Sequence, residues 1–421
     1  MPIIQSRFLF LRALGTENVK KKREILSIKN VVSMETHVFW MPDYFPAFSC
    51  KMGSCRNTCC KGWPISFSLE DYFRLINQEC SPSLREKLDR GVKTALKPTP
   101  GKYAEIAPCY DGTCPLRLGD GRCSIHAELG EQALPNICRL YPRGIRKEED
   151  GYEISCTNSC EAVLELFLFR RESLGFLKKE WNIKLPPIKD RIICFKTYGQ
   201  EREIRLSLIK TMQNRCFTLP ERLAALRERL LTLESAMKAG KVTSVQNWLY
   251  AEEQDRPVLP KVTPKHLAEG LQTAEKLIGF VDERSVSVRA YGEEALACFG
   301  SGEGAFERYK AAEKRFHALF PDWEIFFEHM LVNHMFFTCF PFEDRPEDLR
   351  TEFMALCSVY TLLRFLAIGC AEHCGCREDF IDVFAAAFRL IDHTAFDIYV
   401  SHFLHDLGWT SDEKLLEWII L

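Results

Sequence analysis

The sequence has almost no excess charge of either sign. Its 421 residues carry 56 Lys and Arg against 58 Asp and Glu, which gives a formal net charge of −2. A balance this even provides no general attraction for nucleic acid or for an anionic membrane surface, so we expect neither as a partner. Because 46% of the residues are apolar, the chain can bury a full core, which excludes general disorder.

The sequence also lacks a long apolar run that is free of charge. The strongest candidate extends from Met354 to Ala371, and Arg364 in its middle would cost about 3 kcal/mol on membrane insertion. The N-terminus has neither a signal-peptide apolar region of sufficient length nor a small-residue cleavage site. We therefore expect a cytoplasmic protein in which this run is a buried core helix. Residues 1–34, which are basic, are predicted to be a disordered extension.

Cysteine, in contrast, is abundant and unevenly distributed. The chain has 19 cysteines, and eleven of them lie between Cys50 and Cys160. An odd total without a signal peptide disfavours a secreted disulfide scaffold. In a reducing compartment, a block of thiols this dense indicates a metal site.

The spacing of the cysteines along the sequence limits which classes of metal site this block can form. FSCKMGSCRNTCCKGW, from Phe48 to Trp63, has the spacing C-x4-C-x3-C-C, and single cysteines follow in CPL, GRCSIH, NICRLYPR and SCEA. The paired C-x2-C spacing of zinc fingers is absent, and so is the C-x3-C-x2-C spacing of radical enzymes that use S-adenosylmethionine. Thiolates from several loops suit an iron–sulfur cluster of the [4Fe–4S] type.

The cysteines outside this block have a simpler interpretation. Five of them are predicted to be buried free thiols, because cysteine behaves as a small apolar residue: Cys194, Cys216, Cys298, Cys339 and Cys357. The group Cys370-x3-Cys374-x-Cys376, with His373 inside it, is an alternative second metal site.

Hydrophobic periodicity predicts a mainly α protein, with an irregular cysteine-rich metal-binding part at residues 35–180 followed by a helical part at residues 190–421. Neither alternating strands nor a βαβ rhythm is evident. The predicted helices are Leu69–Ile76 with Ser68 as N-cap, Ser83–Ala95, a helix starting at Glu161, and then 220–240, 264–277, 303–319, 323–337, 350–370 and 379–393.

The cysteine strings resemble those of the bacterial flagellin lysine N-methylase family, and more loosely those of zinc- or iron-chelating cysteine-cluster proteins. The similarity rests on FSC…TCCKGW, CPL…DGRCSIHAELGEQALPNICRLYPR and SCEA, and continues in LVNHMFFTCFPF, YTLLRFLAIGCAEH and FRLIDH. It covers most of the chain from Pro42 to His393.

The resemblance implies a methyl transfer from S-adenosylmethionine to lysine side chains of flagellin, in an enzyme with a [4Fe–4S] cluster. The cysteines that match the family pattern are Cys50, Cys55, Cys59, Cys60, Cys114, Cys123, Cys138 and Cys160. One cluster uses four, so the ligands are open among these eight. Our choice is Cys55, Cys59, Cys60 and Cys138. His126, where the family more often has Tyr, is either an extra ligand or a core histidine.

Candidate cofactor-binding residues lie in CRLYPR. Arg139 and Arg143 flank Tyr141 and could clamp a carboxylate of the methyl donor, tune a cluster, or pair with surface acids. No G-x-G-x-x-G pattern supports an ordinary dinucleotide-type site, and the sequence identifies no catalytic residue. Two other functions remain open: a metal-chelating or metal-sensing protein without catalysis, and a redox protein.

Overall fold

The computed structural model describes residues 36–56, 58–61, 65–183, 185–188, 195–251, 255–280, 286–342 and 348–420. The predicted N-terminal extension, residues 1–34, lies outside these ranges. Within them the protein is mainly helical, as predicted, but its N-terminal part also contains two β-sheets.

The strands were not predicted, and they give the N-terminal part more regular structure than we expected. They are β1 (Thr36–Pro42), β2 (Ile65–Phe67), β3 (Val92–Thr94), β4 (Ala104–Ile106), β5 (Arg143–Glu148), β6 (Gly151–Cys156) and β7 (Phe176–Asn182). One sheet has the order β5-β6-β1-β7, with β1 parallel to β6 and antiparallel to β7; the other has the order β2-β4-β3. Three-residue strands are too short for an alternating pattern, and β5 and β7 carry several charged residues.

Short helices alternate with these strands. They are α1 (Leu69–Ile76), α2 (Pro82–Gly91), α3 (Ser124–Leu129), α4 (Asn136–Leu140) and α5 (Glu161–Leu168). Ser68 caps α1 as predicted, because its hydroxyl accepts a hydrogen bond from the Asp71 N–H at 3.1 Å. The helix predicted to reach Ala95 ends at Gly91, since the next three residues pair with β4.

The C-terminal part consists of helices joined by loops within its described ranges. Its helices are α6 (Glu201–Met212), α7 (Leu219–Lys238), α8 (Val242–Leu249), α9 (Pro264–Phe280), α10 (Val286–Phe299), α11 (Ala305–Leu319), α12 (Trp323–Thr338), α13 (Leu349–Cys370), α14 (Phe380–His393), α15 (Phe396–Asp406) and α16 (Asp412–Ile419). Thr218 and Glu221 form a capping box at the start of α7.

Two hydrophobic cores hold these elements. The small core contains residues between Ile65 and Leu134. The large core joins the four-stranded sheet and α5 to the C-terminal helices, from Phe39 to Ile419. The division between the cores therefore lies inside the segment predicted as the N-terminal domain, and the boundary near residues 180–190 stays a prediction.

Helix α13 is the buried core helix that the sequence predicts. It is long and apolar enough to cross a membrane, but the whole apolar window is buried inside the protein. Arg364 is accommodated there because its guanidinium donates to the Tyr309 hydroxyl at 2.6 Å and to Glu313.

The burial of the cysteines beyond Cys160 agrees only partly with the prediction. Cys339 and Cys357 are buried, which confirms the prediction, but Cys216 is exposed and Cys298 is half-buried; Cys194 lies outside the described residues. In the alternative second site, Cys370 and Cys374 are buried and Cys376 is exposed. His373 there directs Nδ1 to Glu294 at 2.7 Å.

Candidate functional site

Four thiols meet at the small core, and we call them the inner thiol group: Cys60, Cys114, Cys123 and Cys138. Cys114 is one of the buried core residues, and the other three pack against that core. Backbone hydrogen bonds fix their loops, since the Cys114 N–H donates to the Cys60 carbonyl at 2.8 Å and Cys123 forms a bridge with Arg117. Cys138 lies on α4, which Asp71 of α1 anchors by accepting the Asn136 N–H at 3.0 Å.

Electrostatic coupling shows that all four members of the inner thiol group are close to one another. Burial raises the pKa of Cys114 to about 12, and nearby Cys60 and Cys123 add to the effect. Burial likewise raises the pKa of Cys138, with contributions from Cys123, Cys60 and Cys114, and that of Cys123, with a contribution from Cys60. All six pairs among the four thiols therefore interact electrostatically, and Cys114 interacts in the same way with Cys109.

The other four predicted ligands form a second set, the outer thiol group: Cys50, Cys55, Cys59 and Cys160. Burial raises the pKa of Cys160 to about 12, and Cys55 and Cys50 contribute. Burial also raises the pKa of Cys55, followed by the charges of Glu161 and Cys50. Cys160 packs against the large core at the start of α5, whereas Cys50 is exposed. This group therefore lies between the two cores and reaches the surface.

Cys59 and Cys60 join the two groups. The Cys59 thiol donates a hydrogen bond to Cys60, which lowers the pKa of Cys60 to about 6 with help from Thr58 and Arg117. Cys59 is also coupled to Cys138 and to Cys50, and it shares Tyr141 as a neighbour with Cys160. Adjacent residues thus contribute to different thiol groups.

The spacing within both groups is wider than a single metal ion requires. A tetrahedral zinc ion with bonds of about 2.3 Å holds its sulfur ligands about 3.8 Å apart. Among the described residues, no three of these sulfur atoms lie within 4.8 Å of one another. A four-iron cluster is larger than one ion and carries one thiolate at each iron, so the wider spacing fits it better.

Another group of possible ligands is satisfied without a metal. Glu148, Glu153 and Cys339 bring their ligand atoms within 4.8 Å of one another. Arg205, however, donates to both carboxylate oxygens of Glu153 at 2.9 Å, and both side chains are buried. The negative charge there is therefore balanced by an ion pair.

A buried polar network, which the sequence analysis missed, lies directly before Cys160. Thr157, Asn158 and Ser159 are each at most 1% exposed. The Asn158 amide donates to the Met330 carbonyl at 2.8 Å and accepts from Asn333 at 2.7 Å. The available signal was the polar run TNS between two cysteines, because a polar segment in a core needs polar partners.

The partners of this network come from the last strings of the sequence resemblance. Thr157 donates to Asp392, whose other oxygen lies 3.0 Å from Nδ1 of His334. Ser159 lies 2.8 Å from Nε2 of the exposed His393 and 3.0 Å from the Tyr141 hydroxyl. Helices α12 and α14 therefore hold a polar network that extends from the segment before Cys160 to the exposed His393.

The remaining predicted site residues lie around the two groups. Tyr141 joins the polar network, and burial raises its pKa. Arg139 is buried and donates to Asn136 at 2.9 Å, while the Arg143 guanidinium lies 5.1 Å above the Phe48 ring. His126 is half-buried on α3 and interacts with the Cys123 sulfur through its backbone N–H. Their predicted roles toward a cofactor stay predictions.

Comparison with known proteins identifies the C-terminal helices. Residues 205–418, just over half of the chain, match the sequence model of the FliB lysine N-methylase C-terminal domain. The chain belongs to the FliB lysine N-methylase family. This confirms the resemblance seen in the sequence. The FliB domain supplies Asn333, His334, Asp392 and His393, so the polar network connects this domain to the segment that precedes Cys160.

Individual relatives of the FliB family match over a shorter stretch. The lysine-N-methylases of Salmonella typhimurium and Salmonella choleraesuis are each 25% identical over 139 residues, which is 33% of this chain and 34% of each relative. The flagellar biosynthetic protein FliU of Salmonella muenchen is 24% identical over 140 residues, which is 33% of this chain and 82% of FliU. The match thus spans about a third of the two methylases. No solved structure matches the chain.

A cleft opens beside the outer thiol group. It has a volume of about 450 Å³ and is lined by Lys51, Arg56, Glu161, Glu165, Leu168, Phe169, Glu378 and Ile381. Lys51 follows Cys50 directly and donates to both Glu161 and Glu165. Two hydrogen bonds to these carboxylates outweigh the effect of burial and raise the pKa of Lys51. The cleft thus already binds one lysine ammonium.

Proposed function

We propose that this chain is a cytoplasmic, iron–sulfur-containing protein-lysine N-methyltransferase, which moves a methyl group from S-adenosylmethionine to lysine side chains of flagellin. Neither nucleic acid nor a membrane is a partner. The observation that carries the proposal is the FliB lysine N-methylase match over residues 205–418. The names of the relatives, two lysine-N-methylases and a flagellar biosynthetic protein, support the reaction and the substrate.

The thiol groups support the cofactor part of this proposal. Each contains four cysteines: those of the inner group come from separate segments, whereas the outer group combines three cysteines of one loop with Cys160, and four thiolates are what a [4Fe–4S] cluster uses. A bound [4Fe–4S] cluster would cross-link these loops and supply one-electron chemistry. Cys123 and Cys160 each stand at a helix start, where backbone N–H groups offset part of the effect by which burial raises the pKa of these thiols.

The cleft supports the substrate part. A lysine ammonium, with an ordinary pKa of about 10.4, must lose a proton before its nitrogen can attack a methyl group. Glu161 and Glu165 would attract the cationic side chain, and the apolar walls at Leu168 and Phe169 would favour the neutral amine. Both a sulfonium and an ammonium are cations, so an acidic cleft suits donor and acceptor together.

The decisive experiment is a methylation assay with anaerobically purified protein, S-adenosylmethionine and flagellin, read by mass spectrometry of flagellin peptides. We expect mass steps of one methyl group on lysine residues. A matched pair of variants tests the cleft: Glu165→Gln should raise KM for flagellin, and Glu180→Gln, which is exposed on β7, should leave it unchanged. Bound metal without any methylation of flagellin would overturn the enzyme assignment and favour a metal-chelating protein.

A further inference from the structure

Of the eleven cysteines in the N-terminal block, the eight that match the family pattern are twice the number that one four-thiolate centre uses. They are not spread evenly around one point. The inner thiol group is attached to the small core, and the outer thiol group is attached through Cys160 to the large core. Of the outer group, only Cys160 packs against the large core, and the two groups meet at the Cys59–Cys60 peptide.

We propose that this chain binds two metal centres, one held by Cys60, Cys114, Cys123 and Cys138, and the other held by Cys50, Cys55, Cys59 and Cys160. The inference extends the proposed function, from which it takes only the presence of thiolate-bound metal. Both donor sets consist of four thiolates, which select soft metal centres over hard cations, and the sulfur spacing described above favours iron–sulfur clusters over a single zinc ion.

The inner centre is structural. The elements around it are three strands of three residues each and helices of five to ten residues, which form a core too small to be stable alone. Four thiolates on one metal centre cross-link β2, β4, α3 and α4 and replace the missing apolar contacts. None of its four cysteines is exposed, so this centre is closed to substrate.

The outer centre is accessible. Cys50 is exposed, and Cys55 is coupled to Glu161 in the wall of the cleft. Its loop is held against the inner group by the backbones of Gly53 and Gly121, because a Cβ on Gly53 would come within 2.4 Å of the Gly121 carbonyl oxygen. This loop is fastened to the helical part by Arg56, which lies 3.4 Å from Asp382 and donates to the Glu378 carbonyl at 3.2 Å. The outer centre therefore faces the cleft.

The test is the metal content of the anaerobically purified full-length protein and of three variants. Elemental analysis and acid-labile sulfide give the number of centres, and electron paramagnetic resonance of the reduced protein gives their signatures. The outer variant is Cys50→Ser with Cys55→Ser, two positions at or near the surface. The inner variant is Cys114→Ser. The control is Cys216→Ser, an exposed cysteine of the helical part.

We expect the outer variant to contain half the metal of the unchanged protein, with the residual signature of one centre and a nearly unchanged melting temperature. The control should keep both centres, and the inner variant should lose metal together with a large part of its thermal stability. Full metal content in the outer variant, or complete loss of metal while its circular dichroism stays native, would overturn the inference. None of these measurements detects methylation. A protein that binds two metal centres but does not methylate flagellin would therefore refute only the proposed function.

Discussion

Nδ1 of His334 lies 3.0 Å from Oδ1 of Asp392, and both side chains are at most 5% exposed. These residues come from α12 and α14, and Asp392 also accepts a hydrogen bond from Thr157 in the segment before Cys160. One carboxylate therefore joins the FliB domain to the cysteine block.

Replacing this carboxylate should separate the two parts of the network. In Asp392→Ala, the buried His334 and Thr157 donors lose their acceptor, and we expect the free energy of unfolding to fall by about 3 kcal/mol. Urea denaturation checks this. Asp406→Ala, at an 83% exposed side chain, should stay within about 0.5 kcal/mol of the unchanged protein. If both substitutions lower the free energy of unfolding by the same amount, Asp392 does not stabilise the protein through its hydrogen bonds to His334 and Thr157.

Ser159 positions two side chains at once. In Ser159→Ala, the Tyr141 hydroxyl and Nε2 of His393 lose a common partner, so both side chains can shift beside the outer thiol group. If the proposed function holds, kcat for flagellin methylation should fall by about a hundredfold, because small misplacements in an active site have effects of that size. Metal content should not change. The matched control is Ser235→Ala, whose hydroxyl bonds only within α7; a similar loss of kcat there would refute the positioning role.

His329 should make the stability depend on pH. Burial lowers its pKa to about 4, and its Nε2–H donates to the Glu172 carbonyl at 2.9 Å. The unfolded chain, with a His pKa of about 6.5, binds the proton more readily than the folded chain does. The contribution of the neutral His329 to the free energy of unfolding is therefore fully present above pH 6.5 and is lost as the pH falls toward 4.

Between pH 7 and pH 4 the unchanged protein should lose about 3 kcal/mol more unfolding free energy than His329→Gln does. Urea denaturation at several pH values measures both proteins. His405→Gln, at a 73% exposed side chain, serves as the control and should follow the unchanged protein. If the free energy of unfolding falls by the same amount with pH in His329→Gln and in the unchanged protein, His329 is not the cause of the pH dependence.

The Cys59–Cys60 peptide contributes one thiol to each group. We expect the double substitution Cys59→Ser with Cys60→Ser to abolish cluster loading and to lower the melting temperature of the N-terminal part, because metal binding and folding are coupled. Absorbance of the bound cluster and calorimetry check this. Cys216→Ser, at an exposed position on the C-terminal part, should keep the full metal content. Loss of metal in that control would mean that the ligands are divided differently.

Local signals predicted most of the helices. Ser68, the Pro220 and Gly240 that mark the ends of α7, and the long apolar run of α13 are each visible within a short stretch of sequence, and the corresponding helices begin or end within a few residues of the prediction. The strands had no such signal. Strand β1 is paired with residues more than a hundred positions away, so its formation depends on tertiary contacts that a sequence window does not contain.

The site was predictable only in part for the same reason. The thiols themselves were visible in the sequence, but their division was not, since Cys59 and Cys60 are neighbours along the chain and belong to different groups. The polar network joins Ser159 to His393 and Asn158 to Asn333 across most of the chain. The strings that contain these partners were recognised by resemblance, but their contact was not.

The position of β1 in the middle of its sheet has a consequence for biosynthesis. The ribosome releases β1 at residues 36–42, but its neighbours β6 and β7 begin only at residues 151 and 176. The thiols from Cys50 to Cys138 therefore emerge while the central strand has no partner on either side. The small core, whose residues lie between Ile65 and Leu134, is complete well before residue 182 has been added, so the order of translation favours folding of the small core before the four-stranded sheet.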